Sequence, residues 1–350
     1  MHATLYRQNV ALARSVSASA QEHDLRSRLF LCLDDQGFSG YGEVAPQPFA
    51  LNGDPGLGEV VVAVAASLAQ LAEVGAREGV LPSWERAARF SAATPASNVA
   101  TALVEMALLD RELHWASMTI DELWPERFNT PTQVTVSLLT DVDWFVDESV
   151  ARIRVKSAPG PIGDRTLDSL SRLGVPILVD YNCSATSDED VLAQVQLIRS
   201  VATISAVEQP FAAGNVIDHA RLASRLDVPL SIDEGVRSIR DLTQIVNYRA
   251  ATMICVKPAR VGGLSSSRAL FTRASELGLR AYLGGFFESP YARGVHRALA
   301  HSCVSEPSDL LDVEVQPNQY GAEVEIIESR FGVEPADAML SDAECLSVFS

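Results

Sequence analysis

About a third of the way along the chain, the spacing of hydrophobic and polar positions changes character. Up to about residue 125 it reads as an α+β unit, with a strand-like stretch from Arg28 to Cys32, a turn at Asp34 to Gly37, and two longer helical stretches. One of these spans Gly58 to Val74. The other, Ser97 to His114, sets Val99, Leu103, Met106 and Ala107 at helical spacing. From about Gln133 short apolar runs alternate with amphipathic stretches, as parallel βα units require. The runs are Val134 to Leu138, Ile153 to Lys156, Pro176 to Asp180, Ile204 to Glu208, Pro229 to Asp233, Thr252 to Lys257, Arg280 to Gly284 and Asp309 to Val313. Eight such strands predict a (β/α)-barrel.

Charge then enters at particular places. Five consecutive runs end in one ionisable residue: Lys156, Asp180, Glu208, Asp233 and Lys257, separated by 24, 28, 25 and 24 residues. That spacing is one strand, one helix and two loops, so each residue falls at the C-terminal end of a successive strand, where barrel enzymes keep their chemistry. One charge just past a strand is often only the polar start of a loop. Five in register, in the order base, acid, acid, acid, base, describe a site.

Three carboxylates held together raise one another's pKa unless a cation sits among them. Oxygen ligands with room for water and substrate suit Mg²⁺, with Mn²⁺ an alternative, better than zinc. Two lysines flanking such an ion are expected to have lowered pKa values, which makes the neutral amine available as a base. A metal-held substrate carboxylate would then lose its α-proton to give an enediolate.

Composition narrows the class further. With 350 residues, 47% hydrophobic and 21% charged, the chain suits a barrel of about 250 residues plus a smaller unit. A net charge of −17 argues against nucleic-acid or anionic-membrane partners but not against a small carboxylate substrate, because a metal reverses the sign locally. Met1 to Ala20 carries Arg7 and Arg14 and lacks a signal peptide's apolar stretch, and no run of about 18 apolar residues is read anywhere, so a soluble cytoplasmic protein is expected. Five scattered cysteines read as free thiols, and six histidines show no zinc spacing. No nucleotide-binding glycine motif is present. Ser265 to Ser267 reads as a helix cap.

The motifs around these residues resemble the muconate-lactonising-enzyme subgroup of the enolase superfamily over nearly the whole chain. Gly40-Tyr41-Gly42-Glu43 and Val104 to Asp110 are similar to its capping-domain signatures. Arg154-Val155-Lys156, Asp180-Tyr181-Asn182, Glu208-Gln209-Pro210, Asp233-Glu234 and Lys257-Pro258 stand at its barrel motifs. The resemblance implies a (β/α)7β TIM-like barrel over residues 126–315, capped by an α+β domain built from residues 1–125 and a tail, 316–350, that returns to the cap. It implies Asp180, Glu208 and Asp233 as metal ligands and Lys156 and Lys257 as acid/base residues. Asn182 and Glu234 would position the ligands, and Arg154 would support Lys156 electrostatically.

Within the subgroup, Lys257 to Leu264 and Gly284 to Ser289 look most like o-succinylbenzoate synthases and N-acylamino acid racemases. Dipeptide epimerases and muconate cycloisomerases are the alternatives, and a non-catalytic metabolite-binding barrel is the remote one. The synthase reading places the chain in menaquinone biosynthesis. Gly285, Glu288 and Tyr181 are candidate substrate contacts, Glu288 alternatively a helix cap. Relatives are often homo-oligomers, so a homo-oligomer is expected here.

Overall fold

The computed structural model describes residues 1–18, 21–87, 94–137, 150–157, 160–311 and 344–349. Strands β1 (His2–Ala18), β2 (Gln21–Asp35) and β3 (Phe38–Val44) form an antiparallel sheet. Gln36 and Gly37, both left-handed at φ 55° and 82°, make the two-residue turn between β2 and β3 whose twist matches the flanking strands. The stretch from Val16 to Arg26 lies largely within β1 and β2.

Alternation along the strands sends Ala3, Leu5, Leu29, Leu31 and Leu33 into one core, shared with helices α1 (Leu57–Glu78), α2 (Trp84–Ala87) and α3 (Pro95–Ala116). By length and composition α1 could cross a membrane, although Glu59, Ser67, Gln70 and Glu73 interrupt its apolar run. Its buried residues Val60, Val64, Leu68, Leu71 and Val74 nevertheless form one stripe at helical spacing, the pattern of a helix packed on a protein core. α3 runs so close to β3 that glycine is required there. A Cβ at Gly42 would stand 2.2 Å from the Leu103 carbonyl oxygen, and one at Gly40 2.2 Å from that of Ala107.

After the short α4 (Ile120–Leu123) comes a second, parallel sheet of seven strands in sequential order. These are β4 (Thr132–Ser137), β5 (Val150–Lys156), β6 (Ile177–Asp180), β7 (Ile204–Glu208), β8 (Leu230–Ile232), β9 (Met253–Val256) and β10 (Arg280–Leu283). Helices α5 (Asp164–Ser171), α6 (Asp188–Arg199), α7 (Val216–Ala223), α8 (Ile239–Tyr248), α9 (Pro258–Val261), α10 (Leu264–Glu276) and α11 (Pro290–Cys303) intervene or follow, giving a barrel-like α/β fold. Strand β11 (Glu344–Phe349) pairs antiparallel with β1 on the outer edge of the first sheet.

The eighth expected strand, Asp309 to Val313, is not a strand in its described part, and Val313 lies outside the described residues. Two residues serve instead. Ser308 donates its N–H to the Pro131 carbonyl at 3.0 Å and accepts from Gln133 N at 2.8 Å, while Asp309 N donates to Leu283 O at 2.9 Å. This short extended segment therefore bonds to the chain at β4 and at β10, the two edges of the sheet. The bend at Leu311 ends it.

Candidate active site

Parallel register brings the ionisable strand ends together: Lys156 lies opposite Asp180, and Asp180 opposite Glu208. Asp233 and Lys257 directly follow the last residues of β8 and β9. Lys156 Nζ donates to Asp180 Oδ2 at 2.5 Å and to Asn182 Oδ1 at 2.6 Å. Lys257 Nζ donates to Asp233 Oδ2 at 2.9 Å. The three carboxylates are fully buried.

Left-handed residues after the strands aim the flanking groups. Asn182, at φ 44°, folds back so that its N–H meets Asp180 Oδ1 at 2.9 Å and its Nδ2 meets Glu234 Oε1 at 3.2 Å. Gln209, at φ 37°, accepts from Asp233 N at 2.9 Å and Gly235 N at 3.1 Å, which fixes the turn carrying Asp233 and Glu234. Gly284 leaves room for the lysine, since a Cβ there would stand 3.0 Å from Lys257 Cε. The Phe286 ring lies 4.6 Å from Lys257 Nζ.

The electrostatics depart from the sequence expectation in two ways. Burial pulls the Lys257 ammonium down more than any one neighbour raises it, but Asp233 together with the other acidic groups around it, Glu234 among them, holds it above its usual value. The expected lowering presupposed a cation among the carboxylates to offset that pull. Arg154 does not serve mainly as a neighbour of Lys156. Its guanidinium is ion-paired with Glu208 Oε2 at 3.2 Å and Asp309 Oδ2 at 2.8 Å. Burial, opposed by Arg154 and reinforced by Asp180 and Asp233, pushes Glu208 up to about 8. Burial and the charges of Asp233 and Asp180 push Glu234 up to about 7. Asp233 goes the other way: burial would raise it, but Arg260 and Lys257 pull it well below the usual carboxylate range.

Of the three candidate substrate contacts, Tyr181 and Gly285 are corrected. Tyr181 follows Asp180 on the opposite face; its ring is buried in the main core and its hydroxyl lies near Ser157 and Asp190, away from the carboxylates. Glu288 turns one oxygen to its own turn, Oε2 accepting from Phe286 N at 2.8 Å and Arg293 Nη2 at 2.9 Å, while its buried Oε1 has no hydrogen-bond partner and lies 4.0 Å from His296 Nδ1. A Cβ at Gly285 would stand 2.4 Å from Arg293 Nη1, so that glycine makes room for an arginine.

Several residues of the site had no role assigned from sequence. Arg260 donates to Asp233 Oδ1 and grips both oxygens of Asp54 at 2.8 and 2.7 Å. Asn52 Nδ2 reaches the Asn182 carbonyl at 3.0 Å. The N-terminal unit thereby touches the strand-end cluster. Arg260 stands in the Lys257 to Leu264 segment already singled out, but its partner Asp54 lies 206 residues away.

The donor set fits a hard divalent ion. Glu208 Oε1 and Glu234 Oε2 are buried without a hydrogen-bond partner, a cost that a ligand ion would remove. Ligand atoms of Glu208, Asp233 and Cys255 lie within 4.8 Å of one another, whereas Asp180 falls outside that grouping, its oxygens held by Lys156 and Asn182 N. Burial holds the Cys255 thiol well above its usual value, which leaves the carboxylate oxygens as the charged donors.

Comparison with known proteins agrees with this geometry. Residues 141–343 match the family described as enolase C-terminal domain-like. An N-succinylamino acid racemase of an Amycolatopsis species is 31% identical over 214 residues, covering 58% of this chain and 57% of the relative. The o-succinylbenzoate synthase of Bacillus subtilis is 25% identical over 315 residues, 85% of this chain and 81% of that one. Several further synthases match over only 43% to 45% of their own length. A solved dipeptide epimerase from Enterococcus faecalis, complexed with Mg and a dipeptide, superposes with a TM-score of 0.74 at 14% identity over 95% of this chain and 99% of its own. The chain belongs to the enolase superfamily.

Proposed function

We propose that the protein removes a proton α to a carboxylate with the help of Mg²⁺, Mn²⁺ being the alternative ion, and that its activity is o-succinylbenzoate synthesis by dehydration. The observation that carries this reading is the placement of Lys156 and Lys257 on either flank of Glu208, each with Nζ against one of the buried carboxylates. Asp180, Glu208 and Asp233 would hold the ion. When bound, the ion supplies the positive charge against which a substrate carboxylate binds and its negative charge develops.

The chain's own groups do the rest. Lys156 Nζ, as the free amine, takes the α-proton and becomes the ammonium, then returns a proton to the departing hydroxyl as water leaves. Lys257 remains an ammonium and faces the negative charge of the intermediate. Asn182 and Glu234 hold Lys156 and Asp180 in place. The N-terminal unit, whose Asn52 and Asp54 reach the site, acts as the lid and restricts water there.

The test is turnover of the cyclohexadiene precursor of o-succinylbenzoate with Mg²⁺, followed by its ultraviolet absorbance with and without a chelator. Chelator-sensitive loss of absorbance at ordinary enzymatic efficiency is expected, and no turnover rejects the synthase assignment. The equivalent pairing of both lysines favours one second reading, racemisation of N-acylamino acids with one base on each face of the α-carbon. Lys257→Arg separates the two: it keeps the cation but removes a usable base, so a synthase retains activity and a two-base racemase loses it.

A further inference from the structure

Glu208 is held in an asymmetric way, and the residue responsible lies on a strand that carries none of the five ionisable ends. Both groups that engage it, the Arg154 guanidinium and the Tyr282 hydroxyl, converge on Oε2, while Oε1 is buried and uncommitted. Tyr282 sits in the middle of β10, fully buried, among Leu178, Ala206, Met253 and Cys255. A buried phenol needs a polar partner, and the hydroxyl meets Glu208 Oε2; Glu208 acting as an ion's ligand is a carboxylate that can only accept, so Tyr282 donates to it. The Ser231 hydroxyl, 3.1 Å from the Tyr282 oxygen, must then donate to it. Ser231 is also the register partner of Glu208 on β8, so the relay closes between neighbouring strands. The guanidinium carbons of Arg152 and Arg154 lie over the ring, 4.7 and 5.6 Å from its centroid, and help to fix it.

Resting on the reading of Glu208 as a metal ligand, we propose that Tyr282 is a positioning residue for the metal site. Its hydroxyl, backed by Ser231, locks the Glu208 carboxylate in the one rotation that leaves Oε1 with free lone pairs among the site's donors. Arg154 alone cannot do this, because it is shared with Asp309. Groups that orient a metal's ligands commonly change metal affinity by about 10- to 100-fold when removed.

The experiment is a calorimetric Mg²⁺ titration of the apo forms of wild type, Tyr282→Phe, Ser231→Ala and Glu208→Gln, with the melting temperature of each measured in chelator. Tyr282→Phe keeps the ring, its packing and its guanidinium neighbours, so its apo melting temperature should stay close to wild type while its Kd for Mg²⁺ rises about tenfold. Ser231→Ala should raise Kd two- to threefold, roughly, because it removes only the donor behind the phenol. Wild-type affinity in Tyr282→Phe, with binding lost in Glu208→Gln, overturns the proposal and leaves the metal reading intact. Wild-type affinity in Glu208→Gln overturns both. Should Tyr282→Phe fail to fold, Ser231→Ala carries the test, and unchanged affinity there counts against the proposal.

Discussion

Two sets of buried carboxylates serve opposite ends in this molecule. Along the seam between the N-terminal unit and the parallel sheet, Glu43 accepts from Ser289 N at 2.7 Å and Ala292 N at 3.3 Å, with the Ser289 hydroxyl alongside, at the start of α11. Glu105 accepts from Leu264 N and, at 3.0 Å, from Ser265 N at the start of α10. Every oxygen of these two residues is used, each capping a helix from another part of the chain, where a carboxylate also suits the helix dipole. At the strand ends, Glu208 and Glu234 each keep one buried oxygen without a partner. Burial alone therefore does not mark a functional acid here. What separates these two pairs is unspent hydrogen-bonding capacity among the lysine ammonium groups of the strand ends.

That contrast can be broken in four ways. The largest effect is expected from Lys156→Ala, which should cut turnover by about a thousandfold or more while the protein still folds cooperatively in Mg²⁺, with a modest fall in melting temperature from the lost partner of Asp180. Steady-state assays beside thermal melts check both halves. Glu43→Ala should do the reverse, losing about 3 kcal/mol in urea unfolding because it orphans buried donors of α11, with Mg²⁺ affinity retained. Removing the ion with chelator should lower the unfolding free energy of wild type by about 2.7 kcal/mol relative to a Mg²⁺ concentration of 100 Kd, and should leave Glu208→Gln unmoved.

The most gradual effect, smallest for each pH unit, concerns pH. Burial, opposed by the Ser265 and Leu264 N–H groups, pushes Glu105 up to about 7, above its usual 4.5. Between those values the folded protein keeps a proton that the unfolded chain has released. Stability should therefore fall as pH rises through that window, by about 1.4 kcal/mol per pH unit at most, and level off above about 7. Glu105→Gln should flatten this slope in urea titrations run at several pH values.

The strand-end residues were legible in the sequence because two periodic signals coincide there, apolar runs of strand length and one charge at the end of each. The partners of those residues were not. Arg260 stood in a recognised segment, yet nothing local tells that it binds Asp54, since the contact depends on how the N-terminal unit docks. Tyr282 reads as one more strand aromatic until β7 is seen to place Glu208 at its hydroxyl. Glu43 and Glu105 belong to quoted motifs, but their helix-capping roles span 246 and 159 residues. Alternation alone sends Tyr181 away from the site, because it directly follows the inward-facing Asp180. The eighth strand failed for a different reason: two residues make the bonds that an apolar run of five suggested.

The central claim, that the strand-end lysines move a carbon-bound proton next to a carboxylate, is met most directly by proton NMR in D₂O. The enzyme with Mg²⁺ is incubated with the cyclohexadiene precursor and with a panel of N-succinylamino acids. The account predicts that the α-proton signal of at least one of these substrates disappears, and that chelator or Lys156→Ala prevents it. Persistence of the α-proton in every carboxylate tried, while calorimetry shows Mg²⁺ bound, would contradict it.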